Sequence, residues 1–130
     1  MKKVFLGGSC NQSLWRNDFI KNLKLGYYNP AGVVWTEEMI KEEIKQRQES
    51  DFCLYVITPK MDGVYSIAEV IDDSNKQPGK TLVCYLPVDG DQTFTPAQIK
   101  SLEQVAEIVK RNGAYYFKTL PEIIDFLIVS

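Results

Sequence analysis

The chain has 130 residues, 45 % of them hydrophobic and 25 % charged, with a formal net charge of -2. That size and balance fit one globular domain with a single core, so residues 1–130 are read as one unit. The near-neutral charge gives no electrostatic case for a nucleic acid polymer or an anionic membrane, and no apolar run approaches the roughly 20 residues that span a bilayer. Histidine is absent, which excludes Ser-His and Cys-His nucleophilic catalysis and the usual zinc sites. Acid–base chemistry therefore falls to carboxylates, tyrosines, lysines or cysteines. Cys10, Cys53 and Cys84 form no C-x-x-C pair and read as reduced, partly buried thiols. The apolar part of the N-terminus is too short for a signal peptide, so a cytoplasmic location is expected.

Lys2 to Leu6 is a short apolar run ending at Gly7-Gly8-Ser9, read as a first strand and its loop. Ser13 is placed to cap a helix carrying Trp15, Phe19, Ile20 and Leu23 on one face, with Gly26 ending it. Tyr27-Tyr28 reads as a very short strand before the turn signal Asn29-Pro30, and Ala31 to Trp35 reads as a loop. Thr36 caps a second helix with Glu37 and Glu38 in its first turn, where the helix dipole favours negative charge. Ile40 and Ile44 form its apolar face, while Glu42, Glu43, Lys45, Gln46 and Arg47 read as solvated.

Phe52 to Ile57 is a near-continuous apolar run, as in a central parallel strand buried on both faces, with Asp51 at its far end. A helix from Ser66 to about Lys76 follows, then the break Pro78-Gly79 and a strand from Thr81 to Leu86. Asp89-Gly90 marks a loop. Thr95-Pro96-x-Gln98 is a strong helix start, and Ile99, Leu102, Val105, Ala106 and Val109 follow at helical spacing. Asn112-Gly113 ends that helix. Ala114 to Phe117 is a last short strand, and Thr119-x-x-Glu122 caps a final helix with Ile123, Ile124, Leu127 and Ile128.

Strands that alternate with helices imply an α/β fold, a three-layer sandwich with a five-stranded parallel sheet of flavodoxin-like or Rossmann-like type. Ligands of such folds bind at the carboxyl ends of the strands. That edge collects Gly7-Gly8-Ser9, Asn29-Pro30, the segment from Thr58-Pro59 to Glu69, and Pro87-Val88.

Gly7-Gly8-Ser9 allows close approach of a ligand to the backbone, but it is not the G-x-G-x-x-G of dinucleotide sites. Gly79-Lys80-Thr81 is no phosphate loop, because Ser74 stands at the first glycine and the segment precedes a strand. Ser66-x-x-Glu69 fits a capping box, which on spacing alone is its stronger reading. The same spacing also sets a carboxylate at the strand-end crevice, with Asp62 and Tyr65 in the same turn. Asp72-Asp73 reads as a solvated face. Trp15 reads as core, and Trp35, in its loop, as the better candidate to stack on a base.

Several segments together resemble the nucleoside 2-deoxyribosyltransferase-like family: Val4-Phe-Leu-Gly-Gly-Ser-Cys10, Trp15-Arg16, Tyr28-Asn29-Pro30, Trp35-Thr36-Glu37-Glu38, Leu54-Tyr-Val-Ile-Thr-Pro59 and Tyr65-Ser66-Ile-Ala-Glu69-Val. The resemblance spans roughly residues 3 to 87. It implies a nucleoside or nucleotide as small-molecule partner, no metal or cofactor, and a homo-oligomer. It implies that Glu69 attacks C1' of a 2'-deoxynucleoside or its 5'-monophosphate, that Asp62 binds or protonates the base, and that Tyr65 holds the glutamate. Gly7, Gly8 and Ser9 would line the site, Asn29 and Pro30 would lie beside base or sugar, and Ser9 and Ser66 would receive a 5'-phosphate. Thr58-Pro59 stands where family transferases often carry an aspartate, and Ile123 to Ser130 contains no asparagine. Three readings stay open: transfer or hydrolysis at the N-glycosidic bond, binding of a nucleotide or nucleotide-derived signal without turnover, and a small interaction domain in which Ser66 and Glu69 only cap a helix.

Overall fold

In the computed structural model, residues 2–9, 13–31 and 35–130 are described. Cys10 and the middle of the expected loop from Ala31 to Trp35 lie outside them. The strands are β1 (Lys3–Gly8), β2 (Gly26–Tyr28), β3 (Phe52–Ile57), β4 (Thr81–Tyr85), β5 (Val88–Asp89), β6 (Gln92–Thr93) and β7 (Tyr115–Tyr116). The helices are α1 (Trp15–Asn22), α2 (Glu37–Glu49), α3 (Tyr65–Lys76), α4 (Pro96–Arg111) and α5 (Leu120–Ile128). Five strands form one all-parallel sheet in the order β2-β1-β3-β4-β7. The expected α/β three-layer sandwich is therefore present, with the flavodoxin-like strand order. In that order the chain reverses direction of travel between β1 and β3, and the crevice above them is where ligands bind.

Period-two alternation sorts the sheet residues between the two outer layers. Val4, Leu6, Leu54, Val56 and Leu82 pack with Trp15, Phe19, Ile123 and Leu127 of α1 and α5. Phe5, Cys53, Tyr55 and Val83 face Val70 and Val109 of α3 and α4 on the other side. All six residues of β3 are buried, as a central strand requires. Cys53 and Cys84 are buried free thiols, each pushed up to about 12 by burial.

Local signals fixed most helix starts. Thr36 Oγ1 accepts from Met39 N at 3.2 Å, and Thr95 with Gln98 forms a complete capping box ahead of Pro96. Thr119 Oγ1 accepts from Glu122 N at 3.4 Å. Asp51 Oδ2 accepts from Lys3 N at 2.8 Å, at the amino end of the sheet.

Four expectations need correction. Ser13 does not cap α1; its hydroxyl donates to Asp89 Oδ2 at 2.5 Å, and the helix begins after Leu14 and stops at Asn22, leaving Gly26 to open β2. Asp89 ends β5 of a small antiparallel hairpin, β5–β6, whose turn is Gly90-Asp91, with Gly90 at φ 63°. Asp73 is buried at 4 % exposure, so Asp72-Asp73 is not simply a solvated pair. The largest difference concerns α2. Ile40 and Ile44 are 39 % and 42 % exposed, and none of the helix's residues, all of them described, is buried. Its half-buried stripe is Met39, Glu42, Glu43, Gln46 and Arg47, so the helix meets the body of the protein with its polar side. Lys3 Nζ donates to Gln46 Oε1 at 2.5 Å on that side.

Candidate functional site

The floor of the crevice is the backbone at the ends of β1 and β3. A Cβ on Gly7 would sit 2.7 Å from the Tyr55 ring. One on Gly8 would sit 2.0 Å from Val56 O, and Gly8 also has φ +106°, which side chains other than glycine rarely adopt. The two glycines are thus required for strand β1 to run this close to β3. Beyond them, Ser9 clips the two loops together. Its hydroxyl accepts from Thr58 N at 2.8 Å and donates to Thr58 O at 3.3 Å, and its amide donates to Val56 O at 2.8 Å.

Arg16 braces this loop from behind. It is 2 % exposed, and its guanidinium donates to Leu6 O at 3.0 Å, Ser9 O at 2.5 Å and Gly8 O at 3.4 Å, while lying 4.6 Å from the centre of the Trp15 ring. Buried charge is costly unless its donors are satisfied, and here strand-end carbonyls help to do so. Trp15 Nε1 adds a bond to Ser9 O at 3.1 Å.

Helix α3 brings Glu69 to the crevice. The helix starts at Tyr65 after an N-terminal cap at Val64, and no side chain caps it. Glu69 is then its fifth residue, past the position from which a capping-box glutamate reaches back. The Ser66–Glu69 capping box is absent. Glu69 is instead 5 % exposed and turned between α3 and α2.

There it meets Glu43 and Arg47, one turn apart on α2. The Glu43 and Glu69 carboxyls stand close enough for each to alter the other's protonation, an arrangement suited to sharing one proton. Burial pushes Glu69 up to about 8, and the Glu43 charge adds to this, with Arg47 opposing. Burial also raises Glu43, partly offset by the Glu69 contact and by Arg47 and Arg16. Two carboxyls this close ionise in sequence, the arrangement that lets one act as acid and the other as base. Glu69 Oε2 lies 3.5 Å from Arg47 Nη1, yet among the described residues no donor reaches it with hydrogen-bond geometry. Arg47 is bidentate on Asp73, Nη2 to Oδ1 at 2.8 Å and Nε to Oδ2 at 3.3 Å, and Tyr55 OH donates to the same carboxylate.

The crevice encloses a cavity of about 210 Å³. Its wall holds nine of the residues singled out from sequence: Gly7, Gly8, Ser9, Pro30, Trp35, Asp62, Tyr65, Ser66 and Glu69, joined by Gly63. Trp35 and Tyr65 are 62 % and 55 % exposed and meet edge to face at 6.4 Å, an aromatic pair at the mouth. Asp62 is exposed at the rim. Asn29 and Pro59 are not on the wall. The Asn29 side chain accepts from Ala31 N at 3.0 Å, so it shapes its own turn. Tyr65 reaches Trp35 and not Glu69 in its ring contacts. Glu43 and Met61 line the cavity and were not singled out. Among the described residues the wall carries no lysine or arginine, and no cluster of acidic or cysteine side chains could hold a metal ion. No helix of the described residues is long and apolar enough to cross a membrane.

A parallel sheet with a carboxyl-walled, aromatic-mouthed cavity at its β1/β3 reversal defines an α/β protein whose cavity lies where such folds bind ligands. The sequence matches the family described as nucleoside 2-deoxyribosyltransferase like over residues 1–88, and the chain belongs to that family. No curated protein matches it. The match covers β1 through β5's first residue, and so every wall residue of the cavity.

Proposed function

We propose that this protein cleaves the N-glycosidic bond of a 2'-deoxynucleoside, or of its 5'-monophosphate, through a glycosyl-enzyme on Glu69. The observation that carries this reading is the Glu43–Glu69 carboxyl pair on the wall of the strand-end cavity. At rest the pair's proton is on Glu69, the member that the contact raises; in the reactive form it has passed to Glu43, so that Glu69 is the carboxylate that attacks C1' and Glu43 the acid. A Glu69 oxygen bonds to C1' as the C1'–N bond breaks, the electron pair leaves with the base, and the Glu43 proton goes to the base nitrogen. Glu43, now ionised, takes a proton from water or from an incoming base, whose freed lone pair attacks C1' and releases Glu69. This is the two-carboxyl logic of retaining glycoside hydrolysis.

The acid role moves from Asp62 to Glu43 in this reading, because Asp62 is at the exposed rim and Glu43 shares the cavity wall with Glu69 and interacts with it. Asp62 and Ser66 are assigned to the sugar or base, and Trp35 and Tyr65 to stacking on the base. Deoxynucleosides and their monophosphates, incubated with and without a second base, test the proposal. Release of free base, or base exchange, should occur and should vanish in Glu69→Gln. Unchanged substrates, or full activity in that variant, would overturn it.

A further inference from the structure

The Arg47 side chain is 12 % exposed and sits among more carboxylates than it can neutralise: Glu69 at 3.5 Å, Asp72 at 3.5 Å and Asp73 at 2.8 Å. Its backbone is fixed as firmly as its head. Arg47 O accepts from Cys53 Sγ at 3.2 Å, Lys80 Nζ at 3.4 Å and Gln77 Nε2 at 3.5 Å, so three side chains pin the residue's carbonyl. Asp73 takes the guanidinium fork and is itself held by Tyr55 OH from β3. Only the third corner, Nη1, points to Glu69. A guanidinium clamped along one edge presents the other in a fixed place.

We propose that Arg47 is the positioning residue of this site: clamped by Asp73 and Tyr55, it holds the Glu69 carboxyl toward the cavity and favours its ionised form against Glu43. The inference rests on the reading of Glu69 as nucleophile. Without Arg47 the groups facing Glu69 would be mostly acidic or neutral. Glu43 on α2 and Asp73 on α3 act on it through their charges, the Cys53 thiol lies behind on β3, and Asp62 shares the cavity wall, while Asp72 and Tyr55 engage Arg47 and Asp73. Arg16, behind the β1 loop, is the other buried cation nearby. The two members of the clamp act on Glu69 in opposite directions. Arg47 favours the Glu69 carboxylate, while Asp73 opposes it by its charge and by engaging the fork.

Glu69 carboxyl titration by carbon NMR tests this in wild type, Arg47→Met and Asp73→Asn, each checked for folding by its dispersed spectrum. A partner charge at this range moves a carboxyl by about one to three pH units. Arg47→Met should move the Glu69 midpoint up by that order. Asp73→Asn, which keeps the amide oxygen for the fork and loses the charge, should move it down. A purely structural Arg47 would lower stability in both variants without opposite displacements. If Arg47→Met does not fold, Arg47→Gln, which keeps a donor for Asp73 and loses the charge, takes its place, with the same upward displacement expected. An unmoved midpoint in the folded variants overturns the proposal. The acid limb of kcat/KM on a deoxynucleoside should follow the same two directions. Absence of turnover in wild type would count against the glycosidic reading alone, since the NMR midpoints do not depend on it.

Discussion

Replacing Glu69 by glutamine should turn the burial of that carboxyl into a measurable pH dependence of stability. The carboxyl is 5 % exposed and is pushed up from its ordinary 4.5 to about 8, first by burial and then by Glu43. The folded protein therefore holds this proton more tightly than the unfolded chain does. Stability is fully present below the ordinary value and falls as pH rises through about 8. Each pH unit of displacement is worth about 1.4 kcal/mol, so the loss at this carboxyl is at most about 5 kcal/mol across the window. Glu43, raised by its own burial, acts in the same direction. Glu69→Gln keeps the shape of the protonated acid and does not titrate. Urea denaturation from about pH 5 to about pH 9 should find the two proteins close at the acid end, and the variant ahead by several kcal/mol at the alkaline end. The gain should show as a higher midpoint at unchanged slope. A difference that stays flat with pH would refute a buried, proton-holding Glu69.

Glu43→Gln removes the proton donor and should lower kcat/KM on an ordinary deoxynucleoside by about 10²- to 10⁴-fold in steady-state assays, with a much smaller loss for a substrate whose leaving group needs no proton. Deoxynucleosides should outperform their 5'-monophosphates, because Glu43, Asp62 and Glu69 wall the cavity and no wall lysine or arginine offsets them. One phosphate charge about 6 Å from one carboxylate costs roughly 3 kcal/mol at an effective dielectric of about 20, so a kcat/KM ratio of at least about 100 is expected, and a monophosphate that reacts as well as its nucleoside would count against this reading.

Much of the frame could be read from residue order, because each signal was local. The unbroken apolar run of β3 and the Thr95-Pro96-x-Gln98 start of α4 carry their own structural consequence. So does the strand-end rule, which drew attention to the segment ending at Glu69 before any geometry was known. The acid pair was hidden for a different reason. Glu43 and Arg47 stand in a charge-rich helix, where the default reading is a solvated face. Their burial depends on how α2 turns against α3, which no residue of α2 declares by itself. A trace was present in the pairing of periods. Glu43 and Arg47 are four apart, as are Glu69 and Asp73, so two helices each offered a charged couple at the spacing of one turn. The serine at 66 misled in the opposite sense, since a capping box needs the helix to begin two residues later than it does. Ser9 was expected to take a phosphate, but its hydroxyl is occupied on both sides by Thr58.

The polar docking of α2 has a thermal consequence. Its half-buried stripe runs through Glu42, Glu43, Gln46 and Arg47, and its isoleucines already face outward. Detaching such a helix would expose little new apolar surface, so its release should carry almost no heat-capacity change. Attachment by burial of apolar area weakens on cooling, whereas this attachment does not depend on that effect. It depends on ion contacts, which dissolved salt screens. The helix that brings Glu43 and Arg47 to Glu69 should therefore keep its seat in the cold and loosen in brine, while the apolar layers of the sandwich respond in the opposite way to both.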